Sequence, residues 1–300
     1  MPTTASSLAT TSLAERGWIS VWSDLFKARL TTLVLLTTGV GFHAGTRGSL
    51  DLALLMQTLL GTAFLAAGAA ALNQWLERDY DAQMRRTQDR PLPSGHLRPQ
   101  TALVVGSACV ASGLGWLVLA TNPMTSALGA VTLLIYLFIY TPLKRVTPLN
   151  TLVGAVPGAL PPLMGWTAAR GSADAGGWAL FAILVCWQLP HFLAIAWLYR
   201  EDYARAGFAM LPVFDPDGRR TAGRALCHAL GLLPVSLLPY GLHLAGPVYL
   251  GGAVVLGLIF VRAALQFRRQ VAPDTARRLF YVSILYLPLL LALMVMDKIK

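Results

Sequence analysis

Charged residues are scarce in this sequence. Only 13% of its 300 residues are charged, whereas 55% are hydrophobic, and the mean hydropathy is +0.58. Soluble domains carry about 25% charged residues. This composition excludes a soluble domain with a single anchor and predicts a protein that is embedded in a membrane throughout.

Cysteine and targeting signals are also scarce. Cys109, Cys186 and Cys227 form no CxxC pair, so we expect them to pack in the interior rather than to hold a metal. Residues 1–17 lack the apolar stretch of a secretory signal, and their single arginine, Arg16, is too little for a mitochondrial presequence. We predict the bacterial cell inner (plasma) membrane, with residues 1–27 as a cytoplasmic N-terminal segment before one transmembrane domain, 28–296.

Apolar runs of membrane length are abundant. They are too long and continuous for barrel strands, which alternate over about 10 residues, so the backbone must satisfy itself as helices. The prediction is an all-α membrane protein of about nine transmembrane helices. The predicted spans are 28–46, 52–76, 101–120, 122–140, 150–168, 178–199, 222–242, 246–265 and 279–296.

Basic residues are distributed unequally between the two sides of these spans. Twenty lysines and arginines fall on the side of the amino terminus and four fall on the other. Because positive charge favours the cytoplasmic side, we predict a multi-pass protein with a cytoplasmic N-terminus. The net charge of +10 then reflects topology and attraction to the lipid bilayer, and no nucleic-acid partner is expected.

The stretch NQWLERDYDAQMRRTQDRPLPSG, 73–95, concentrates opposite charges at the end of the second span. Asn73, Glu77 and Asp81 are spaced at i, i+4 and i+8, so they share one face of a helix, and Asp79 points away. The spacing predicts a column of oxygen ligands that is shielded from water at Asn73 and exposed to water at Asp81. Such ligands, with substrate phosphates, suit Mg²⁺.

Other polar residues complete the predicted site. Asp202, at the end of the sixth span, is a candidate for a second metal position. The segments KAR (27–29) and YTPLKR (140–145) place Lys27, Arg29, Lys144 and Arg145 at the same membrane level as the acidic column. They are interface anchors and, beside a metal–phosphate site, candidate diphosphate ligands.

Two spans carry unusual residues within the membrane. WQLPHFLAIAW, 187–197, holds Gln188 and His191 beside a proline, and ionisable groups inside a membrane mark functional sites. NTLVGAVPGALPPLMGW, 150–166, has three glycines and three prolines. We therefore expect this fifth span to be broken or kinked, with room for a bulky flat ligand against its backbone.

These segments resemble the UbiA superfamily of intramembrane prenyltransferases. The acidic motif after the second span indicates the superfamily. WQLPHF together with DYARAGFAMLP, and RRLFYVSILYLPLL near the carboxyl terminus, resemble the branch that makes haem O from protohaem IX. The resemblance extends from about residue 24 to 290 and implies a helical bundle with a central cavity that opens to the cytoplasmic side.

The resemblance implies a reaction and its participants. Farnesyl diphosphate binds with Mg²⁺, its allylic C–O bond ionises, and a vinyl group of haem b (protohaem IX) attacks the cation before water adds. Contact with a downstream haem-modifying enzyme or a terminal oxidase assembly is a further expectation. A UbiA-type enzyme acting on an aromatic acceptor such as 4-hydroxybenzoate, a transporter, and a haem-delivery protein are the alternatives.

The resemblance also implies roles for individual residues. Glu77 stands where many superfamily members have aspartate, and the second acidic motif lacks a paired aspartate, as in the haem branch. Metal binding and catalysis are thereby assigned to Asn73, Glu77, Asp81 and Asp202, diphosphate binding to Lys27, Arg29, Arg86, Arg90, Lys144 and Arg145, and haem binding to His191, Gln188 and Asn150.

Overall fold

The computed structural model describes residues 17–299. Arg16 and Lys300, which the charge comparison included, lie outside this part of the chain, as does most of the predicted N-terminal segment. Within residues 17–299 the secondary structure is helical, and a single isolated β-bridge joins Ala245 to Lys298. The predicted all-α class is confirmed.

Fifteen helical elements follow one another in this part of the chain. They are α1 (Trp18–Leu25), α2 (Ala28–Gly45), α3 (Leu52–Asp81), α4 (Pro99–Ala120), α5 (Pro123–Leu133), a π-helix (Leu134–Tyr140), α6 (Thr141–Leu143), α7 (Asn150–Arg170), α8 (Ala175–Leu198), α9 (Arg200–Arg205), a 3₁₀-helix (Leu211–Phe214), α10 (Arg219–Val235), α11 (Leu238–Gly241), α12 (Pro247–Arg269) and α13 (Pro273–Met296).

Each of the nine predicted spans overlaps one of the long helices, but not all of them have the composition of a span. Seven helices within 17–299 are long and apolar enough to cross a membrane, or eight if α1 and α2, bent by 52°, count as one span. The remaining helix is α7, which packs against α2, α5 and α8. A helix that is enclosed by other helices does not face lipid and does not need the apolar composition of a lipid-facing span. The predicted number of nine transmembrane spans is therefore approximate.

The fifth span was expected to be broken or kinked, and helix α7 shows that it is not broken. Pro157, Pro161 and Pro162 lie inside it, yet the helix is continuous from Asn150 to Arg170. Helices in membranes tolerate proline where neighbouring helices enclose the backbone. Most of α7 is buried, which matches that condition.

Glycines bring α2 and α7 into close contact. A Cβ added at Gly165 would overlap the carbonyl oxygen of Thr38, and one added at Gly41 would overlap that of Pro162. Small residues at such crossings let helix backbones approach and pack in a bilayer. The crossing holds α7 in the centre of the bundle, beside the cavity described below.

Replacement of Gly165 by alanine should therefore destabilise the protein by about 1–3 kcal/mol, because a backbone carbonyl cannot move aside as a side chain can. The control is Gly115→Ala in α4, where an added Cβ meets nothing within 4 Å. That variant should unfold no earlier than the wild type. Thermal unfolding of both proteins in the same detergent measures the difference, and equal midpoints for the two variants would contradict the close crossing.

Helix α3 carries the acidic motif out of the apolar layer. Asp51 accepts a hydrogen bond from the Leu54 N–H at 2.9 Å and so caps its first turn. Its 30 residues span about 45 Å, against about 30 Å for the hydrocarbon core. The last turns, with Glu77 and Asp81, therefore extend towards one interface without a break in the helix.

The stretch from residue 99 to 143 contains an element that the sequence analysis did not predict. The break at Thr121–Pro123 separates α4 from α5 as expected, and the Asn122 side chain caps α5. After Leu133, however, the chain continues as a seven-residue π-helix. The π-helix is followed by Pro142, which has no N–H, and the Thr141 hydroxyl donates to the Tyr136 carbonyl at 2.8 Å.

Candidate functional site

A cavity of about 420 Å³ lies among α2, α3, the π-helix, α7 and α8. Aliphatic and aromatic side chains form most of its wall, and the charged side chains belong to α3 and the loops near its carboxyl end. Ligand pockets are typically concave, mostly apolar and supplied with a few polar groups. The site residues predicted from the sequence that line the cavity are Lys27, Glu77, Asp81, Arg86, Arg90, Lys144, Gln188 and His191.

Asn73 and Glu77 face the same side of α3, as their spacing predicts. The Asn73 amide donates to Glu77 Oε2 at 3.1 Å and to the Thr141 hydroxyl at 3.1 Å. Lys144 Nζ lies 2.8 Å from Glu77 Oε1 and 3.0 Å from Oε2. The Glu77 carboxylate is thus bound on two sides by neighbouring groups, which fixes its position at the cavity wall.

The burial of Asp81 contradicts the expectation that this end of the column is exposed to water. Its exposed fraction is 1%, the same as that of Asn73, so the motif is buried along its whole length. Arg90 Nη1 pairs with Asp81 Oδ2 at 2.6 Å, and the Thr87 hydroxyl donates to the Asp81 carbonyl. Residues 82–90 thus fold back over the helix end. Asp79 is exposed and pairs with Arg78, on the opposite face as predicted.

Lys27 reaches the motif from a strained turn. It joins α1 to α2 with φ of 47°, a left-handed conformation that costs a non-glycine residue about 1–3 kcal/mol. From there its ammonium donates to Asn73 Oδ1 at 2.7 Å and lies 3.5 Å from the Tyr136 hydroxyl. Strained residues cluster at functional sites, and this one places a cation beside the Asn73 carboxamide.

The side chains of the adjacent residues Lys144 and Arg145 face two different cavities. Lys144 lines the main cavity. Arg145 instead hydrogen-bonds the Tyr80 hydroxyl and stacks over that ring. It lines a second cavity of about 140 Å³ behind Glu77. The structure therefore separates two residues that the sequence analysis treated as one diphosphate-binding pair.

The remaining arginines of the predicted set also differ. Arg86 lines the cavity, donates to the Tyr203 hydroxyl at 3.2 Å and lies over the rings of Tyr199 and Tyr203. Arg29 is exposed on the first turn of α2 and is not part of the cavity wall. Arg86 thus links the loop after α3 to α9, next to the charged wall.

Asp202 is not brought to the first acidic motif. It lies on α9, outside the cavity wall, and pairs with Arg205. Among residues 17–299, no group of three or more His, Cys, Asp or Glu side chains is arranged to hold a metal ion. The assignment of Asp202 as a metal ligand stays a prediction, and it requires Asp202 to break its ion pair with Arg205.

Gln188 and His191 line the cavity from α8. The Gln188 amide is held by the carbonyls of Leu184 and Ala155 at 3.1 and 3.4 Å. Its side chain lies directly against the bare backbone of Gly158. The space beside Gly158, where room for a bulky flat ligand was expected, is thus taken up by the Gln188 side chain, and ligand binding against the α7 backbone stays a prediction.

Asn150, by contrast, is wholly buried away from the cavity. Its amide donates to the carbonyls of Thr147 and Ala209 at 2.6 and 2.9 Å. The Ala209 N–H in turn donates to the Lys144 carbonyl at 2.6 Å. Asn150 therefore holds the loop after α9 against the segment that carries Lys144, a position that favours a structural role.

Sequence reasoning gave no role to several residues at the cavity or the motif, among them Tyr136, Tyr140 and Thr141. The two tyrosine rings stack at 5.9 Å, and Lys144 Nζ lies 4.6 Å from the Tyr140 ring. Both rings line the cavity, and π-helical turns are frequent at functional sites. The four-residue spacing of Tyr136 and Tyr140, the second of which is the first residue of YTPLKR, was a visible signal, but the π-helix that turns both rings inward was not.

The cavity wall carries more positive than negative charge. Four basic side chains, Lys27, Arg86, Arg90 and Lys144, face two acidic ones, Glu77 and Asp81. Such a wall suits an anion with two or more charges, and clustered basic groups stabilise charge that develops on a phosphate. The apolar remainder suits a hydrophobic body attached to that anion.

Comparison with known sequences agrees with this geometry. Residues 34–287 match the model of the UbiA prenyltransferase family. The chain is 46% identical over 284 residues to a protoheme IX farnesyltransferase of Solibacter usitatus, covering 92% of this chain and 97% of that one. It is 48% identical over 273 residues to a protoheme IX farnesyltransferase of Salinibacter ruber, covering 91% and 96%.

Solved structures share the fold. A structure of digeranylgeranylglyceryl phosphate synthase aligns with a TM-score of 0.79 at 16% identity, over 93% of this chain and 98% of that one. A UbiA homologue from Archaeoglobus fulgidus, bound to DMAPP and Mg²⁺, aligns with a TM-score of 0.64 at 17% identity, over 91% and 99%. The chain therefore shares its overall fold with proteins of low sequence identity.

Proposed function

Because the chain belongs to the UbiA prenyltransferase family and its curated relatives are protohaem IX farnesyltransferases, we propose that it transfers the farnesyl group of farnesyl diphosphate to a vinyl group of haem b. Water addition completes the product, haem O. The names of these relatives favour haem as the acceptor over 4-hydroxybenzoate.

One structural observation carries this proposal. Two buried carboxylates and four cations meet at the charged part of an otherwise apolar cavity. Farnesyl diphosphate has the matching chemistry, since it joins a multiply charged head to a long hydrocarbon tail. A transporter would not require an acidic motif whose members are already paired with cations from other segments.

The donor chemistry fits Mg²⁺. Glu77, Asp81 and Asn73 offer oxygen atoms along one face of α3, and Mg²⁺ is usually held by one or two carboxylates together with substrate phosphates. When bound, the ion neutralises charge on the diphosphate and assists its departure. The homologue from Archaeoglobus fulgidus, bound to DMAPP and Mg²⁺, supports this assignment. Asp202 remains a candidate second ligand.

The basic residues of this chain act on the leaving group. As the allylic C–O bond breaks, its electron pair leaves with the diphosphate, and Lys27, Arg90 and Lys144 face the charge that develops. Groups already in place stabilise such charge more than mobile water does. Arg86 extends the same surface towards α9, where Tyr203 orients it.

The apolar wall acts on the allylic cation. The π electrons of the haem vinyl group attack it and form a C–C bond, which leaves a new cation beside the porphyrin ring. Water adds there, and its proton leaves with the diphosphate or the solvent. Tyr136, Tyr140 and Trp187 line the cavity, and an apolar enclosure limits early capture of the first cation by water.

The chain is a multi-pass membrane protein, and the distribution of its basic residues supports one orientation in the membrane. The twenty-to-four asymmetry of basic residues supports a cytoplasmic N-terminus in a bacterial inner membrane. The charged part of the cavity would then face the cytoplasm. Contact with a haem-modifying enzyme or a terminal oxidase assembly remains a prediction.

Removal of the metal should abolish product formation. Membranes containing the protein, haem b, farnesyl diphosphate and Mg²⁺ should yield a haem that gains a farnesyl group and a hydroxyl, detected by mass spectrometry of extracted haem. Excess EDTA should reduce this product by at least about 100-fold, and added Mg²⁺ should restore it. Undiminished product in EDTA would contradict the assignment of Glu77 and Asp81 as metal ligands.

A further inference from the structure

His191 rests on a buried serine of another helix. Its Nδ1 lies 2.7 Å from the Ser283 hydroxyl, which is carried by α13. Ser283 has an exposed fraction of 0% and donates its own proton to the Phe280 carbonyl at 2.6 Å. The pair thus joins α8 to α13 at the cavity wall.

The serine determines where the imidazole carries its proton. A hydroxyl has one proton to donate and lone pairs to accept. Because Ser283 donates to Phe280, it accepts from His191, which places the histidine proton on Nδ1. Nε2 then carries a lone pair, and within residues 17–299 it has no hydrogen-bond partner, although His191 lines the cavity.

Aromatic rings fix the plane of the imidazole. Trp187 stacks on it with centroids 5.1 Å apart and planes inclined by 21°, and Phe280 lies at 5.0 Å and 29°. The Trp187 indole N–H donates to the Ser283 carbonyl at 2.7 Å, so that this ring is held by α13 as well. The imidazole therefore has one orientation and one tautomer.

We propose that Ser283 is a positioning residue that holds His191 with its proton on Nδ1, so that Nε2 coordinates the iron of the haem acceptor. Metal-ligating histidines almost always donate their other N–H to a fixed oxygen, and histidine is a common axial ligand of haem. The same tautomer excludes a neutral His191 as a donor to a haem propionate, since Nε2 has no proton. This proposal rests on the proposed function.

The tautomer can be measured without haem. In protein labelled with ¹⁵N-histidine, the His191 signals, identified by their absence in His191→Ala, should show a protonated Nδ1 and an unprotonated Nε2. Ser283→Ala should shift the ratio towards Nε2–H. The control is Ser236→Ala, which removes an equally buried hydroxyl that bonds Tyr286 instead, and it should leave His191 unchanged. A wild-type Nε2–H tautomer would overturn the proposal.

The coordination is tested by binding ferric haem b to the purified protein without farnesyl diphosphate. Absorption and electron paramagnetic resonance spectra should show a histidine-ligated iron. His191→Ala should lose that signature, and added imidazole should restore it. Ser283→Ala should keep the signature but weaken haem binding about tenfold, whereas Ser236→Ala should bind as the wild type does.

The outcomes separate this proposal from the proposed function. If the wild type forms farnesylated haem but His191→Ala has an unchanged haem spectrum, the iron coordination is wrong and the reaction stands. If the wild type neither binds nor modifies haem, the proposed function fails and the coordination fails with it. Equal haem affinity in Ser283→Ala and the wild type would remove Ser283 as a positioning residue.

Discussion

Replacement of Asp81 by asparagine should lower turnover by about 10²–10³-fold, the range found when a single electrostatic contact to a developing charge is lost. The asparagine side chain would keep the shape of the aspartate but remove its negative charge. Asp81 is buried at the cavity and pairs with Arg90 at 2.6 Å. The neutral side chain would hold a divalent cation less firmly and would release Arg90 from its present position.

The matched control is Asp79→Asn on the same helix. The Asp79 side chain is 75% exposed and faces away from the cavity, so its loss of charge should change turnover less than about twofold. Product mass spectrometry gives the rates, and gel filtration in detergent shows that both variants are folded. Similar rates for Asp81→Asn and Asp79→Asn would contradict the assignment of the motif to metal binding.

Replacement of Lys144 by glutamine should lower turnover by about 10²-fold and destabilise the protein by about 3 kcal/mol. The ammonium bonds both oxygens of Glu77, and the side chains of the pair are only 16% and 6% exposed. Its removal leaves Glu77 as a buried charge without its main counter-ion and removes one cation from the diphosphate surface.

A second substitution isolates the effect on stability. Lys144→Gln combined with Glu77→Gln removes the uncompensated charge, so the unfolding temperature should recover while turnover stays low. Arg145→Gln is the positional control, because Arg145 faces Tyr80 and the second cavity, and its turnover should remain within a few fold of the wild type. Equal losses of turnover in Lys144→Gln and Arg145→Gln would contradict the finding that only Lys144 faces the main cavity.

Local spacing was sufficient to predict much of this molecule. Long apolar runs predicted helices because a bilayer leaves the backbone no other partner, and the four-residue spacing of Asn73, Glu77 and Asp81 placed them on one face of α3. Their relation to Lys27 and Lys144 was also inferred, since basic residues at one membrane level can meet where helices bundle. The family resemblance then indicated the fold and the reaction.

Features that depend on tertiary contacts were not predictable in this way. Asn150 bonds the Ala209 carbonyl, which lies 59 residues further along the chain. The pairing of Asp202 with Arg205 is instead a local i,i+3 contact on α9, so it does not depend on such contacts. The π-helix has no hydrophobic period of its own, so the inward orientation of Tyr136 was not foreseen. The burial of Asp81 results from the fold of residues 82–90 over the helix end.

A competition between two acceptors tests most directly whether haem is the substrate. The purified protein would receive farnesyl diphosphate, Mg²⁺ and equal amounts of haem b and 4-hydroxybenzoate, and both would be analysed by mass spectrometry. We expect haem that carries a farnesyl group and a hydroxyl, with 4-hydroxybenzoate unchanged. Farnesylated 4-hydroxybenzoate with unmodified haem would contradict haem as the acceptor while leaving the diphosphate site in place.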